Sequence, residues 1–370
     1  MKPRILVTGG AGFIGSHLAR ELLSLGYKVR VLDRLDSQVH ASTERPSYLE
    51  PDIELVVADV RDRDQVRGAL RSVEMVCHMA AKVGVGQSMY EIARYTESNE
   101  LGTAILLEEM LEAGVRKLLV ASSMSIYGEG LTRYGTQLIE PQVRSLTQMK
   151  GGAWELRTSG GAELEPVPTP ETKSPSLSSI YALNKYAQER MCLIWGQAYG
   201  RDVTAMRFFN VYGPDQALSN PYTGVLAIFG ARLLNGRSPM IFEDGLQRRD
   251  FVHVTDVARA CRLALESDAA AGQVINVGSG QSRTVQEVAR TLARAMGRTD
   301  IEPRITGKYR AGDIRHCFAD ITLARTLLGF EPRVKFEDGI AELVEWLLEQ
   351  IATDRVEQAT EELSRRGLVA

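Results

Sequence analysis

The chain has little that would tie it to a metal, a membrane or a nucleic acid. Its 370 residues include only 4 cysteines and 5 histidines. Cys77, Cys192, Cys261 and Cys317 are scattered, with no Cys-x-x-Cys spacing. This pattern reads as buried small hydrophobes in a reducing compartment, with no metal site. No apolar run approaches the ~18 residues of a membrane span, so no membrane partner is expected. An excess of one charge is missing too. The 44 Lys and Arg against 47 Asp and Glu leave a net charge of −3, no footprint for nucleic acid. The first strand-like run begins at Arg4, which leaves no room for a signal peptide and points to the cytoplasm. Aromatic residues are few, 6%, but 44% hydrophobic residues over this length suffice for a large core and two domains.

Glycine, by contrast, is concentrated where it matters. The apolar run Arg4-Ile5-Leu6-Val7-Thr8 leads into Gly9-Gly10-Ala11-Gly12-Phe13-Ile14-Gly15, and an amphipathic pattern follows from Ser16 to Leu25. In a strand–turn–helix, Gly9 suits the tight turn and Gly12 the approach of a pyrophosphate to the backbone. Gly15 suits close packing of helix on strand. The free N–H groups of the helix start then face the phosphates. A second strand, Lys28–Leu32, ends in Asp33, placed for the adenosine ribose hydroxyls. The pattern predicts a bound dinucleotide, and the acid favours NAD over NADP.

Strand-like runs at 4–8, 28–32, 53–58, 74–79, 117–122 and 203–208 alternate with helical patterns near 13–26, 63–71, 95–113 and 180–199. Such alternation predicts an α/β fold of Rossmann type, a doubly wound parallel sheet covered on both faces. Ligands of such sheets lie beyond the carboxyl ends of the strands, where Gly9, Asp33, Asp59, Ala80-Ala81 and Ser123 fall. Residues 1–210 are expected to form this domain, with an insertion at 129–178. Residues 211–370 form a smaller, discontinuous α/β substrate domain, with a segment near 250–275 returning to the first. Its expected elements are helices near 223–235, 284–296, 321–328 and 336–351 and strands at 239–242 and 274–278. The tail from Thr353 to Arg366 reads as a surface helix.

Tyr181 and Lys185 open the helical pattern that follows Ser179, one turn apart and about 6 Å along the axis, on one face. An ammonium beside a phenol favours the phenolate. Downstream of a dinucleotide motif, the pair suits proton abstraction from a hydroxyl while its carbon gives hydride to the cofactor. Ser123, after the strand Leu118–Ser122, can bridge the substrate hydroxyl and Tyr181; a turn or cap role is the equal alternative.

Together these residues resemble the extended short-chain dehydrogenase/reductase family, in its nucleotide-sugar epimerase/dehydratase group. The resemblance spans essentially the whole chain. It rests on Thr8–Gly15, Ala58-Asp59-Val60, His78-Met79-Ala80-Ala81, Ser122-Ser123, Tyr181–Lys185, Arg207–Pro214 and Arg249–Val254. It implies Ser123, Tyr181 and Lys185 as the catalytic triad and a cofactor site that includes Phe13, Ile14 and Ser122. Asp59 and Val60 would lie beside the adenine, Ala80 and Ala81 along the cofactor, and Asn99 near the cofactor and catalytic loop. Asn210, Arg249, Arg310 and Asp313 would contact a nucleotide-diphosphate sugar, with arginine forks on its phosphates. A homodimer through helices near 95–113 and 180–199 is a further implication.

Where sugar dehydratases of this family carry an Asp-Glu pair after the catalytic hydroxyl, this chain has Met124 and Ser125. Decarboxylating relatives also use an acid there. With none available, oxidation and re-reduction at one carbon remains: a 4-epimerase. The segment 129–178, with Asn210–Gly224, most resembles bacterial dTDP-L-rhamnose 4-epimerases, implying a deoxythymidine-diphospho 6-deoxyhexose as substrate. Several of those relatives have a cysteine-rich, zinc-ribbon-like insertion, whereas this chain has Leu156–Gly161 where Cys-x-x-Cys-Gly would stand. Trp154 and Leu156 are expected to pack the insertion near the sugar pocket. Cys317 matches a position that gates that pocket in hexose 4-epimerases, although the residue itself reads better as a core thiol. The rival readings are a UDP-hexose or UDP-uronate 4-epimerase and a catalytically silent NAD-binding sensor. Intact Tyr181 and Lys185 argue against the sensor.

Overall fold

The computed structural model describes residues 2–40, 42–218, 220, 222, 224–310, 312–350 and 354–370. Its first strands are β1 (Arg4–Thr8), β2 (Lys28–Asp33), β3 (Glu54–Val57), β4 (Met75–His78) and β5 (Lys117–Ser123). Three short strands follow, β6 (Thr132–Tyr134), β7 (Gln137–Ile139) and β8 (Glu165–Pro166). Then come β9 (Asp202–Phe208), β10 (Asn210–Tyr212), β11 (Met240–Ile241), β12 (Arg248–His253) and β13 (Val274–Val277). Seven of them form one parallel sheet in the order β13-β9-β5-β4-β1-β2-β3. Successive residues of each strand serve opposite faces, as strand geometry requires. Ile5, Val7, Cys77 and Leu119 join a core with the helices Phe13–Ser24 and Val254–Glu266. Leu6, Val76, Leu118 and Val120 join a second core under Arg63–Ala69, Gly102–Glu112 and Ile180–Tyr199. The fold is the doubly wound α/β class, and strand order reverses between β1 and β4, where such sheets open a ligand crevice.

A third core gathers Tyr212, Phe229, Phe251, Leu292, Phe336 and Leu343 from the later part of the chain. There β12 pairs with β10, with residues 282–284 and with His316-Cys317. The edge strand β13, also late in sequence, pairs with β9 of the large sheet. Thr223, Ile351 and Thr353, at the ends of expected helices, lie outside the described residues, as do Ser219 and Pro221.

Three regions go beyond or depart from what the sequence alone indicates. The helix expected near 95–113 is broken: a π-helical turn, Glu97–Leu101, separates Ile92–Thr96 from Gly102–Glu112. The segment 129–178 is ordered by the small antiparallel sheet β7-β6-β8 and a helix, Leu146–Lys150. The tail helix, Val356–Arg365, buries Ala359 and Leu363, and the Arg366 guanidinium lies 4.2 Å over the Tyr90 ring. Beyond it, Ala370 exchanges backbone hydrogen bonds with Tyr309.

Candidate active site

A cleft of about 480 Å³ opens at the reversal of strand order, within the range of small-molecule sites. Gly9 has φ +66°, and a Cβ there would meet the backbone of Ala80 at 2.7 Å. A Cβ on Gly15 would stand 2.2 Å from the Gly9 carbonyl, so helix and turn touch only because residue 15 is glycine. Gly12 precedes the helix Phe13–Ser24 with no side-chain cap, and that first turn has no acidic residue. The uncapped amides and positive helix end therefore face the cleft.

Asp33 ends β2 and lines the cleft, accepting from the Ala11 amide at 3.1 Å and the Leu35 amide at 2.9 Å. Asp59 and Val60 also line it. The Asp59 carboxyl is held at about 2, below its ordinary range, by hydrogen bonds and charge from Arg61 and Arg34 that outweigh burial. Ala80, Ala81 and Lys82 form the opposite wall. Asn99 does not reach the cleft. Fully buried in the π-helical turn, it accepts from the Lys82 amide at 2.7 Å and donates to the Lys82 carbonyl at 3.0 Å, holding the wall from behind.

Ser123 ends β5, and its Oγ accepts from the Ser125 amide at 3.2 Å and the Ser125 hydroxyl at 2.9 Å. The place of a dehydratase acid thus holds a hydroxyl already engaged with Ser123. Ser122 lines the cleft, but its hydroxyl donates to Glu189 at 2.6 Å, and Glu189 is paired with Arg207. Ser179 caps the helix Ile180–Tyr199 by accepting from the Ala182 amide, which sets Tyr181 and Lys185 on the turn facing Ser123. Burial raises the Tyr181 phenol, and a hydrogen bond with Ser123 offsets part of that rise. Burial pushes Lys185 down to about 8.

Asn210 lines the cleft, and its buried Oδ1 has no partner among the described residues, an acceptor free for a ligand. Arg249, Arg310 and Asp313 gather beside the cleft rather than in its wall. Arg310 pairs with Asp313 at 3.1 Å, and Arg249 donates to the carbonyls of Arg315 and Ile314. Cys317 is 1% exposed in the main core beside Thr169, so it behaves as a core thiol and not as a pocket gate.

The insertion is tied to this region by buried ions. Arg144 contacts Glu129 at 3.2 Å, Glu243 at 2.8 Å and the Asp313 carbonyl at 3.1 Å. Arg315 is fully buried and pairs with Glu243, Asp244 and Glu155. Leu156 is buried, and Trp154 lies 6.2 Å from the Tyr309 ring. At Leu156–Gly161 of the insertion, an Arg157–Glu163 pair at 2.5 Å and the turn Thr158–Gly161 close a hairpin. Lys82, in the cleft wall, escaped the sequence reading although it carries a signal, a cation directly after Ala80-Ala81.

A Gly-rich turn under an uncapped helix, an acid ending the second strand and a Ser–Tyr–Lys group across one cleft define a dinucleotide-dependent enzyme that moves protons at a hydroxyl. The chain belongs to the NAD dependent epimerase/dehydratase family, whose model matches residues 5–147 and 158–278. It is 35% identical over 354 residues to a dTDP-L-rhamnose 4-epimerase of Burkholderia thailandensis, covering 94% of this chain and 96% of that protein. Among solved structures, the UDP-glucose 4-epimerase of Thermotoga maritima with UDP-glucose superimposes with a TM-score of 0.77 and 33% identity, covering 94% of this chain and 99% of that one. The UDP-glucose 4-epimerase of Thermus thermophilus in complex with NAD gives 0.74 and 32%, covering 94% and 100%.

Proposed function

We propose that the chain is an NAD-dependent nucleotide-sugar 4-epimerase that interconverts dTDP-L-rhamnose and dTDP-6-deoxy-L-talose. One observation carries the reaction type: Ser123, Tyr181 and Lys185 share a cleft in which Met124 and Ser125 take the places of the dehydratase acids. The uncapped amides at Gly12–Gly15, with Phe13 and Ile14, suit a pyrophosphate, and Asp33 suits the adenosine ribose. Asp59 and Val60 suit the adenine edge, with Ala80, Ala81 and Ser122 along the cofactor and Asn99 holding the wall. Bound there, NAD supplies a hydride acceptor and donor for sugar C4. The Tyr181 phenolate takes the proton of the C4 hydroxyl, Ser123 bridges the two oxygens, and the Lys185 ammonium favours the phenolate. Once the keto sugar has turned over in the cleft, Tyr181 would return the proton to the C4 oxygen. Asn210, Arg249, Arg310 and Asp313 suit the nucleoside diphosphate.

The sugar and base rest on the Burkholderia relative, and a UDP-hexose is the second reading, supported by the Thermotoga structure. Turnover of both substrates with deuterium at C4, followed by NMR, tests the proposal. The label is expected back at C4 with inverted configuration and without loss of water. A 4-keto-6-deoxy product accumulating from a 6-hydroxylated sugar would falsify the epimerase reading.

A further inference from the structure

Lys185 faces inward, only 3% exposed, and its Nζ donates to Gln188 Oε1 at 2.6 Å. Gln188 is itself fully buried, and its Nε2 lies 2.9 Å from His78 Nε2. His78 Nδ1 lies 2.7 Å from Thr8 Oγ1, which also accepts from the Ala80 amide at 3.3 Å. Hydrogen-bond chemistry fixes the direction at the Lys185 end of this chain, and the Gln188 amide then selects the His78 tautomer proposed below. An ammonium has donors only, so Gln188 must offer it Oε1 and turn Nε2 toward His78. His78 Nε2 must then accept, which places the ring proton on Nδ1, donating to Thr8. Thr103 Oγ1 also lies 2.9 Å from His78 Nε2, but its proton goes to the Asn99 carbonyl at 2.5 Å. Gln188 Nε2 carries two protons, one for the Ala80 carbonyl at 3.4 Å and one directed at His78 Nε2.

We propose that Gln188 is a positioning residue of the catalytic helix. It aims the Lys185 ammonium, holds it in its charged form and links it, through the neutral Nδ1–H tautomer of His78, to the turn that carries the cofactor. The inference rests on reading Lys185 as the charge partner of Tyr181. The other groups around Lys185 leave Gln188 as its acceptor. Glu189 is engaged by Arg207 of β9 and Ser122 of β5. Cys192 is a neutral thiol, pushed by burial to about 12. Glu100 of the π-helical turn binds Asn184. Burial, and then the Lys185 charge, hold His78 near 3, so it stays neutral. Tyr181 is the group that the ammonium serves.

The working form of Lys185 is protonated. Removing its acceptor lowers its pKa, so activity is lost at a lower pH on the alkaline side. For Gln188→Met, close in volume, the alkaline limb of the kcat–pH profile is expected to move down by about one unit, the scale of a lost hydrogen bond to a charged group. Gln188→Glu is expected to restore that limb to its original position or above. A role in packing alone would lower kcat evenly at all pH values. Identical limbs in all three proteins therefore overturn the proposal. Profiles are measured with dTDP-L-rhamnose, or with UDP-glucose if that is the sugar turned over. Should Gln188→Met fail to fold, ¹⁵N NMR of histidine-labelled parent protein decides. An Nδ1–H signature for His78, unchanged from pH 5 to 8, is expected, and an Nε2–H signature overturns the proposal. Full activity of Lys185→Met would instead overturn the reading of the triad.

Discussion

The roles proposed for Tyr181 and Lys185 rest on two properties that substitution can separate. Tyr181→Phe keeps the ring and removes the proton-transferring hydroxyl. It should fold, bind cofactor and lose at least about 10²-fold in rate, the lower end for such groups. Lys185→Met should also impair turnover, because the phenol, already raised by burial, loses the charge that favours its ionised form. Circular dichroism and retained cofactor, measured beside kcat, separate these losses from unfolding. Asp33 presents a different case. Its carboxylate braces the glycine turn through Ala11 and faces the cleft, where it would repel a 2′-phosphate. Asp33→Asn keeps an acceptor oxygen but removes the charge, so discrimination between NAD and NADP should fall at least about tenfold, as expected for one charge a few ångströms away. An unchanged ratio of dissociation constants would refute that role. These residues were legible in the sequence because each ends a strand or opens a helix at a spacing that chemistry demands. Gln188 was not, since its partner His78 lies 110 residues away and a lone glutamine on a helix has no signature.

Elements were legible where apolar periodicity set them. The strands of the large sheet and the helix Ile180–Tyr199 lie where alternation and amphipathicity put them. The π-helical turn was hidden, because Glu97–Leu101 contains no glycine, proline or other local signal of a widened turn. It is what turns Asn99 onto the backbone of Lys82 instead of into the cleft. The insertion was illegible for the opposite reason. It has little periodicity, and its order comes from charges brought together from Glu129, Arg144, Glu155, Glu243 and Arg315. Glu243 holds a left-handed backbone, φ 55°, at a non-glycine position, with its carboxylate gripped by two arginines. Breaking a buried pair strands a charge at a cost of about 3 to 5 kcal/mol. Arg144→Met should therefore lower the thermal midpoint measurably, while Arg133→Met, whose pair with Glu165 is exposed, should leave it nearly unchanged. Equal midpoints for the two variants would show that the buried network does not hold the insertion. No zinc is needed in this account, and the segment 129–178 contains neither cysteine nor histidine. Stoichiometric zinc in protein purified without added metal would contradict it.

Among the described residues, one group of exposed apolar side chains lies along the helix that carries Tyr181 and Lys185 and beside it. Leu101 is 50% exposed, Leu183 46% and Ile194 56%, all within or beside the helices that flank the second core of the large sheet. Leu183 sits between Tyr181 and Lys185 on the catalytic helix, pointing outward as they point in. A second copy presenting the same helices would bury these side chains in a two-fold interface, since an isologous contact uses the same patch twice. Such an interface would also fix the outer face of the helix whose inner face carries Tyr181, Lys185 and Gln188, so assembly and chemistry share one rod. A light-scattering mass of twice the chain's 40.8 kDa is expected for the parent protein. Ile194→Asp, which places a charge in that patch, should shift the equilibrium toward the single chain, because an unpaired charge resists desolvation. Ile194 stands several turns from the cleft on an exposed face, so the variant should remain folded. A single-chain mass for the parent, or a double mass that Ile194→Asp leaves untouched at low protein concentration, would place the interface elsewhere or remove it.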